Sequence, residues 1–181
     1  IWWQIVEKYK VSVMFSAPTA VRVLKKQDPA WLKKYDISTL RYLFLAGEPL
    51  DEPTAKWIAE AIRRPIIDNY WQTESGWPIL TIANGIEAKP SRFGSPGVPM
   101  YGYNVKLLHE STGEELTGAN EKGVVVIEGP TPPGFMQTVW NDDERFVNTY
   151  WSSIPDRQVY STFDWGIRDE DGYIFILGRT D

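Results

Sequence analysis

The sequence contains no cysteine and a single histidine, His109. Without thiols it forms no disulfide, no thiolate nucleophile and no cysteine-ligated metal centre. One imidazole excludes a multi-histidine metal site and removes most histidine-dependent catalytic triads. Positive charge is also scarce: 19 Lys and Arg against 24 Asp and Glu give a formal net charge of −5. A general nucleic-acid surface needs clustered cations, so no nucleic-acid partner is expected. No apolar run reaches the length of a membrane-spanning helix, and the opening Ile1-Trp2-Trp3-Gln4 is not a secretory signal. No membrane partner is therefore expected, and a cytoplasmic location is the expectation.

The 181 residues are 43% apolar, enough for one globular domain or a piece of a larger one. Nine Trp is a high count for this length. They read as core and interface rings; the alternative is aromatic walls for a planar or sugar ligand. Such a Trp-rich binding module would place Trp2, Trp3, Trp31, Trp57, Trp140 and Trp151 on one exposed face. The chain starts within a helical pattern without Met and stops at Arg179-Thr180-Asp181, so an excised segment of a longer protein is expected.

Periodicity divides the chain in two. Residues 2–9 have helical character, and Val11 to Phe15 reads as a strand. Pro18 suits the first turn of a helix that Ala20 to Lys26 continues. Arg41 to Ala46 is a continuous apolar strand of the kind covered on both faces. Asp51 is a candidate N-cap for a helix from Glu52 to Arg63, and Pro65 to Asp68 is the next strand. Strand, helix, strand, helix, strand implies α/β with a parallel sheet. Past residue 90, Gly and Pro punctuate the chain between the strands Asn104–Leu108 and Gly123–Ile127, and Asp171-Gly172 is a hairpin turn into Tyr173–Ile176. This half reads as a small β-barrel-like subdomain or curled sheet, with one helix near Asp142 to Tyr150. The expected units are 1–90 and 91–181.

Ligands of open α/β sheets sit beyond the carboxyl ends of the strands. Polar clusters fall there at Gly47-Glu48-Pro49 and at Asp68 to Glu74, and Asp164 adds a third in the β half. Singly, each has a structural reading as a turn or cap. Together they carry a resemblance. "NYWQTESG" (69–76) resembles the Tyr/Trp-Gly/Gln-x-Thr-Glu motif of the acyl-adenylate-forming, AMP-binding enzymes, and "YSTFDWGIRDEDGYIFILGRTD" (160–181) their Thr-Gly-Asp segment running into Gly-Arg-x-Asp. "LFLAGEPL" (43–50) is similar to their Gly-Glu-Pro loop, and "SAPTAVR" (16–22) to a segment of the short-chain acyl-CoA synthetases. The Trp-Gln-Thr-Glu form points to the acetyl/propionyl-CoA synthetase branch.

The resemblance implies part of a large N-terminal domain of an ATP-dependent acyl-CoA ligase, with ATP/AMP, Mg²⁺ and coenzyme A as cofactor and co-substrates and a small carboxylic acid as partner. It implies that Gly47, Glu48 and Pro49 lie along the adenine, with Asp68, Asn69 and Tyr70, and that Gln72 belongs to the nucleotide site. Thr73 would bond the α-phosphate, Glu74 would help hold Mg²⁺, Asp164 would accept the ribose hydroxyls and Arg179 would donate to ribose or phosphate. Trp71 would close the acyl pocket. Ala46, where a larger Val accompanies acetate, makes propionate the first expectation and acetate the second. Ala17 would line the coenzyme A channel and Asp181 would be the interdomain hinge. The phosphate loop before residue 1 and a catalytic Lys after Asp181 would belong to missing N- and C-terminal parts. Phe163 departs from the family's Gly. Arg22, Lys25 and Lys26 read as a solvated helix face, with coenzyme A phosphates as the alternative. His109, Glu110, Glu114 and Glu115 read as a solvated hairpin.

Overall fold

The computed structural model describes residues 1–180; the expected hinge residue, Asp181, lies outside the described residues. The chain opens with α1 (Trp2–Tyr9), whose Trp3 and Val6 share one buried face and whose end is closed by Lys10 in the left-handed conformation. Three short apolar strands follow: β1 (Val13–Ser16), β2 (Tyr42–Leu45) and β3 (Ile66–Asp68). They pair in parallel in the order β1-β2-β3. The crossovers are α2 (Pro18–Lys25), the short α3 (Ala30–Lys33) and α4 (Glu52–Ile62). Pro18 starts α2, and the Asp51 carboxylate caps α4 by accepting from the Thr54 amide at 2.9 Å.

Leu43 and Leu45 of β2 pack with Val21, Ile58 and Ile62 of the two crossover helices. The other face carries Ile67, with Tyr42 and Phe44, against Ile82, Tyr173 and Phe175. Both faces of the parallel sheet are therefore covered, one by helices and the other by the β half. Register does more than build a core: Ser16 lies opposite Leu45, and Leu45 opposite Asp68. All three strands stop on one line, and the residues after them form a common rim.

A two-stranded ladder of β4 (Leu80–Thr81) and β5 (Val98–Pro99) crosses the expected boundary at residue 90. Four longer strands follow, β6 (Asn104–Leu108), β7 (Lys122–Glu128), β8 (Tyr160–Arg168) and β9 (Ile174–Arg179). They form an antiparallel meander in sequence order. Of the expected barrel or curled sheet, the closed barrel does not form among the described residues: strands adjacent in sequence pair, and no β6–β9 ladder closes the ring. The expected helix is α5 (Asp143–Phe146), which widens into a π turn over Val147–Trp151. His109 and Glu110 are exposed at the β6–β7 connection, as expected.

One irregularity in this sheet matters for the site. Val124 pairs with Trp165 and Val126 with Ser161, so Val125 alone faces Thr162, Phe163 and Asp164. The surplus is absorbed as a bulge, and such a bulge re-aims side chains.

Gly97 joins the sheets. Its carbonyl accepts from Ile174 N at 2.9 Å, its φ is +116°, and a Cβ there would sit 2.7 Å from the Thr81 carbonyl oxygen. Both the backbone angle and the close approach demand glycine. Gly97→Ala is expected to lower the unfolding free energy by about 2–4 kcal/mol, read as a lower urea midpoint at unchanged slope.

Candidate active site

The rim of the parallel sheet begins with Gly47, which takes φ +102° in a turn with open space on its Cβ side. The following Glu48 is not free to face a ligand with both oxygens. Thr19 N donates to its Oε1 at 2.7 Å, the Thr19 hydroxyl donates to the same oxygen, and Arg22 Nη1 donates to Oε2 at 2.9 Å. Arg22 also reaches Asp51 Oδ2 at 3.0 Å and the Pro49 carbonyl at 3.1 Å. The Thr19 hydrogen bond, followed by that of Arg22, holds the Glu48 carboxyl below its usual range. The reading of Arg22 as part of a solvated face is thus corrected. One guanidinium grips both ends and the backbone of the Gly-Glu-Pro turn, using the fork geometry that lysine lacks.

The second rim segment leaves β3. Asn69 is buried, with its amide donating to the carbonyls of Leu45 at 3.0 Å and Ile67 at 3.1 Å, and its Oδ1 accepting from the Thr81 hydroxyl at 2.7 Å. It ties β2, β3 and β4 together. Asp68 has no such support. Desolvation pushes its carboxyl up to about 7, opposed only by the Asn69 amide.

The β8 bulge supplies the third segment. The Thr162 hydroxyl donates to Val125 O at 2.8 Å and accepts from the Asp164 amide at 3.2 Å. Phe163 takes φ +58°, so the backbone keeps a left-handed path although the residue is not glycine. Asp164 is thereby turned inward and buried. Its Oδ2 accepts from the Tyr70 hydroxyl at 2.5 Å and from Gln72 Nε2 at 3.1 Å. Gln72 also donates to Thr162 O at 2.6 Å and accepts from the Tyr160 hydroxyl at 3.0 Å. Burial, reinforced by Asp164, holds the Tyr70 phenol well above its ordinary value, so it remains a donor at neutral pH. Arg179 lies opposite Asp164 across the β8–β9 ladder, with Nη1 3.9 Å from Oδ1 and 3.2 Å from Thr162 O.

These segments enclose a cleft of about 410 Å³, within the range of small-ligand sites. Gly47, Glu48, Pro49, Asp68, Asn69, Tyr70, Trp71 and Gln72 line it from the rim, and Asp164 and Arg179 from the β half. A second, more polar cavity of about 460 Å³ shares Gln72 and Arg179 and contains Glu74. Three expected residues line neither. Ala46 is 4% exposed, packed at the end of β2. Ala17 is partly buried as the N-cap of α2, and Thr73 is exposed at the start of a one-turn segment, Thr73–Ser75. Gly94, Pro96, Ile176 and Gly178 also line the cleft, and Tyr150 and Tyr160 support the second cavity. The Gly/Pro spacing of 94–97 is the one sequence signal for any of them.

The arrangement suits a ligand with a flat apolar part and an anionic part. The first cavity offers backbone, Pro49 and Trp71 surface with acceptors at Asp68 and Asp164; the second offers Thr, Tyr, Glu and Arg. Among the described residues no cluster of three or more His, Asp or Glu could hold a metal alone. The single carboxylate of Glu74 does fit Mg²⁺ carried by phosphates, because that ion takes one or two protein carboxylates and completes its shell from phosphate and water. Trp2, Trp3, Trp31 and Trp57 border a separate groove on helices, Trp151 packs into the β core, and Trp140 is exposed elsewhere. Four of the six thus stand on helices around that groove, with Trp3 buried, and the other two lie apart, so the single exposed face of six that the Trp-rich module requires is not formed.

Residues 1–140 match the family described as AMP-binding enzyme, and the chain belongs to that family. It is 67% identical over 181 residues to the propionate–CoA ligase of Escherichia coli and 66% identical to that of Salmonella typhimurium. Both alignments cover all of this chain and 28% of the relative, so the chain spans less than a third of their length. The acetyl-coenzyme A synthetase of Phycomyces blakesleeanus is 39% identical over 183 residues, covering 99% of this chain and 26% of that protein.

Asp68 generates a pH prediction. Its folded pKa, about 7, exceeds the ordinary carboxylate value. The folded state therefore holds the proton more tightly, and stability falls as pH rises from about 4 through 7. Asp68→Asn removes the ionisation. Thermal unfolding is expected to favour the variant at pH 8, by no more than about 4 kcal/mol, with the advantage gone near pH 4.

Proposed function

We propose that the chain is part of an ATP-dependent short-chain acyl-CoA synthetase acting on propionate. The carboxylate attacks the α-phosphorus of ATP and pyrophosphate departs. The coenzyme A thiol then attacks the acyl carbon and AMP departs. Two anions must be brought together in the first step, so catalysis lies in charge neutralisation and alignment, with no protein nucleophile. The observation that carries this reading is the convergence of Gly47–Pro49, Asp68–Gln72 and Asp164 on one cleft in a chain 67% identical to a propionate–CoA ligase.

In this reading adenine lies between the Gly47-Glu48-Pro49 turn and the Asp68-to-Tyr70 segment. Gly47 lets a flat base approach the backbone. Asp164 has acceptor capacity for both ribose hydroxyls, and Arg179 donates to ribose or phosphate. Thr73 bonds the α-phosphate. Glu74 contributes the protein's ligand to Mg²⁺, which when bound neutralises phosphate charge. Trp71 closes the acyl end with Ala46, and Ala17 borders the coenzyme A path. Residues 1–90 and 91–181 form two subdomains, the second ending at a hinge at Asp181, and the longer protein works in the cytoplasm.

Acetate is the second substrate reading, favoured by the acetyl-coenzyme A synthetases among the relatives. Substrate-dependent ATP–pyrophosphate exchange by the full-length protein, run with propionate, acetate and benzoate, tests the assignment. Exchange with propionate is expected to exceed the other two. Ala46→Val is expected to shift the propionate-to-acetate ratio of kcat/KM roughly tenfold toward acetate, since one methylene is worth about 1–3 kcal/mol in a pocket. Asp164→Asn is expected to raise the KM for ATP roughly tenfold or more, the loss of a charged hydrogen-bond acceptor. An unmoved ratio sinks the acyl-pocket assignment, and an unmoved KM sinks the ribose contact.

A further inference from the structure

Among the described residues Glu74 is the one carboxylate bordering the polar cavity, and it stands on a single short turn. Its Oε1 accepts from the Tyr150 hydroxyl at 3.2 Å. Tyr150 comes from a distant part of the chain, the π turn Val147–Trp151 between β7 and β8. Turns of that kind are rare and concentrate at functional sites.

The Tyr150 ring is held firmly. It stacks on Tyr160 with centroids 5.4 Å apart and planes 3° from parallel, and it meets Phe146 at 6.0 Å and the edge of Phe163 at 6.1 Å. Tyr160 is fully buried, and its hydroxyl donates to Gln72 Oε1. Gln72 in turn donates to Asp164. The contacts therefore run from Glu74 through two stacked tyrosines to Gln72 and Asp164, joining a carboxylate in each cavity. The left-handed backbone of Phe163, sterically costly for a bulky side chain, places its ring against this stack.

The packing would be served equally well by phenylalanine at 150, because the stack and edge contacts involve the ring alone. The hydroxyl has one partner in this set, Glu74. A glutamate side chain without a partner samples several rotamers, whereas a bond from a rigid phenol selects one. We propose that Tyr150 is a positioning residue, its hydroxyl fixing the Glu74 carboxylate in the polar cavity for cation-bound phosphate. This rests on the nucleotide reading of the site and adds to it a residue outside the recognised motifs.

The test uses the full-length ligase with Tyr150→Phe, which removes the donor and keeps the ring. Calorimetric titration with ATP, with Mg²⁺ and with EDTA, reads the affinity gained from the cation. In the variant that gain is expected to shrink about tenfold, the worth of one hydrogen bond to a charged group, with cation-free affinity unchanged. The KM for ATP should rise by a similar factor, the KM for propionate should stay within roughly twofold, and the melting temperature should move by less than about 3 °C. A wild-type cation gain and ATP KM in Tyr150→Phe overturn the inference. Glu74→Gln separates the two layers. Loss of the gain there, beside an unaffected Tyr150→Phe, rejects only Tyr150, while a gain retained in Glu74→Gln rejects the phosphate reading of Glu74 and the inference with it.

Discussion

A buried carboxylate needs donors, and Asp164 finds two of them in the segment that follows a different sheet. Tyr70 and Gln72 leave the end of the parallel sheet and donate to a side chain delivered by the β8 bulge. That bridge holds the two halves of the cleft at a set distance. Removing one partner would leave a buried charge or buried donors unsatisfied, which is far more expensive than losing a surface contact. The strain tolerated at Phe163 is consistent with this. A bulky residue keeps a left-handed backbone because the flanking Thr162 and Asp164 are bound on both sides.

The opposite wall is set by register and by one guanidinium. Parallel pairing aligns Ser16, Leu45 and Asp68, so the residues that follow share a rim without any special loop geometry. Arg22 then ties α2 to the turn that leaves β2 through Glu48, Pro49 and Asp51. Each of these ion pairs is partly exposed and worth little alone. Their convergence on one side chain makes them a geometric constraint on the turn. The carboxylate of the Gly-Glu-Pro motif is therefore occupied with shaping the wall, and what the wall presents to a ligand is backbone and proline.

Much of this was legible before any coordinates. The parallel sheet followed from apolar runs alternating with helical periods, and the Asp51 cap and the Asp171-Gly172 hairpin followed from local turn chemistry. Of the expected site residues, Gly47 to Pro49, Asp68 to Tyr70, Gln72, Asp164 and Arg179 from the nucleotide set and Trp71 from the acyl pocket line one cleft. Thr73, Ala46 and Ala17 do not, because neighbours in sequence on a turn or strand end point to different sides. The role of Arg22 is not legible in the sequence, since its partners lie 26 to 29 residues away and helical position alone says only that a charge faces outward.

The sequence by itself determined the local elements, the absence of thiol and multi-histidine chemistry, and the family, because each depends on residue types at short spacings. Only the tertiary structure decided which of those residues share a cavity, that the β half is an open meander, and that Tyr150 meets Glu74. Those facts depend on strand register, on a bulge that adds residues to one side of a ladder, and on contacts between segments some 76 to 94 residues apart. No local pattern encodes such distances; chain packing does.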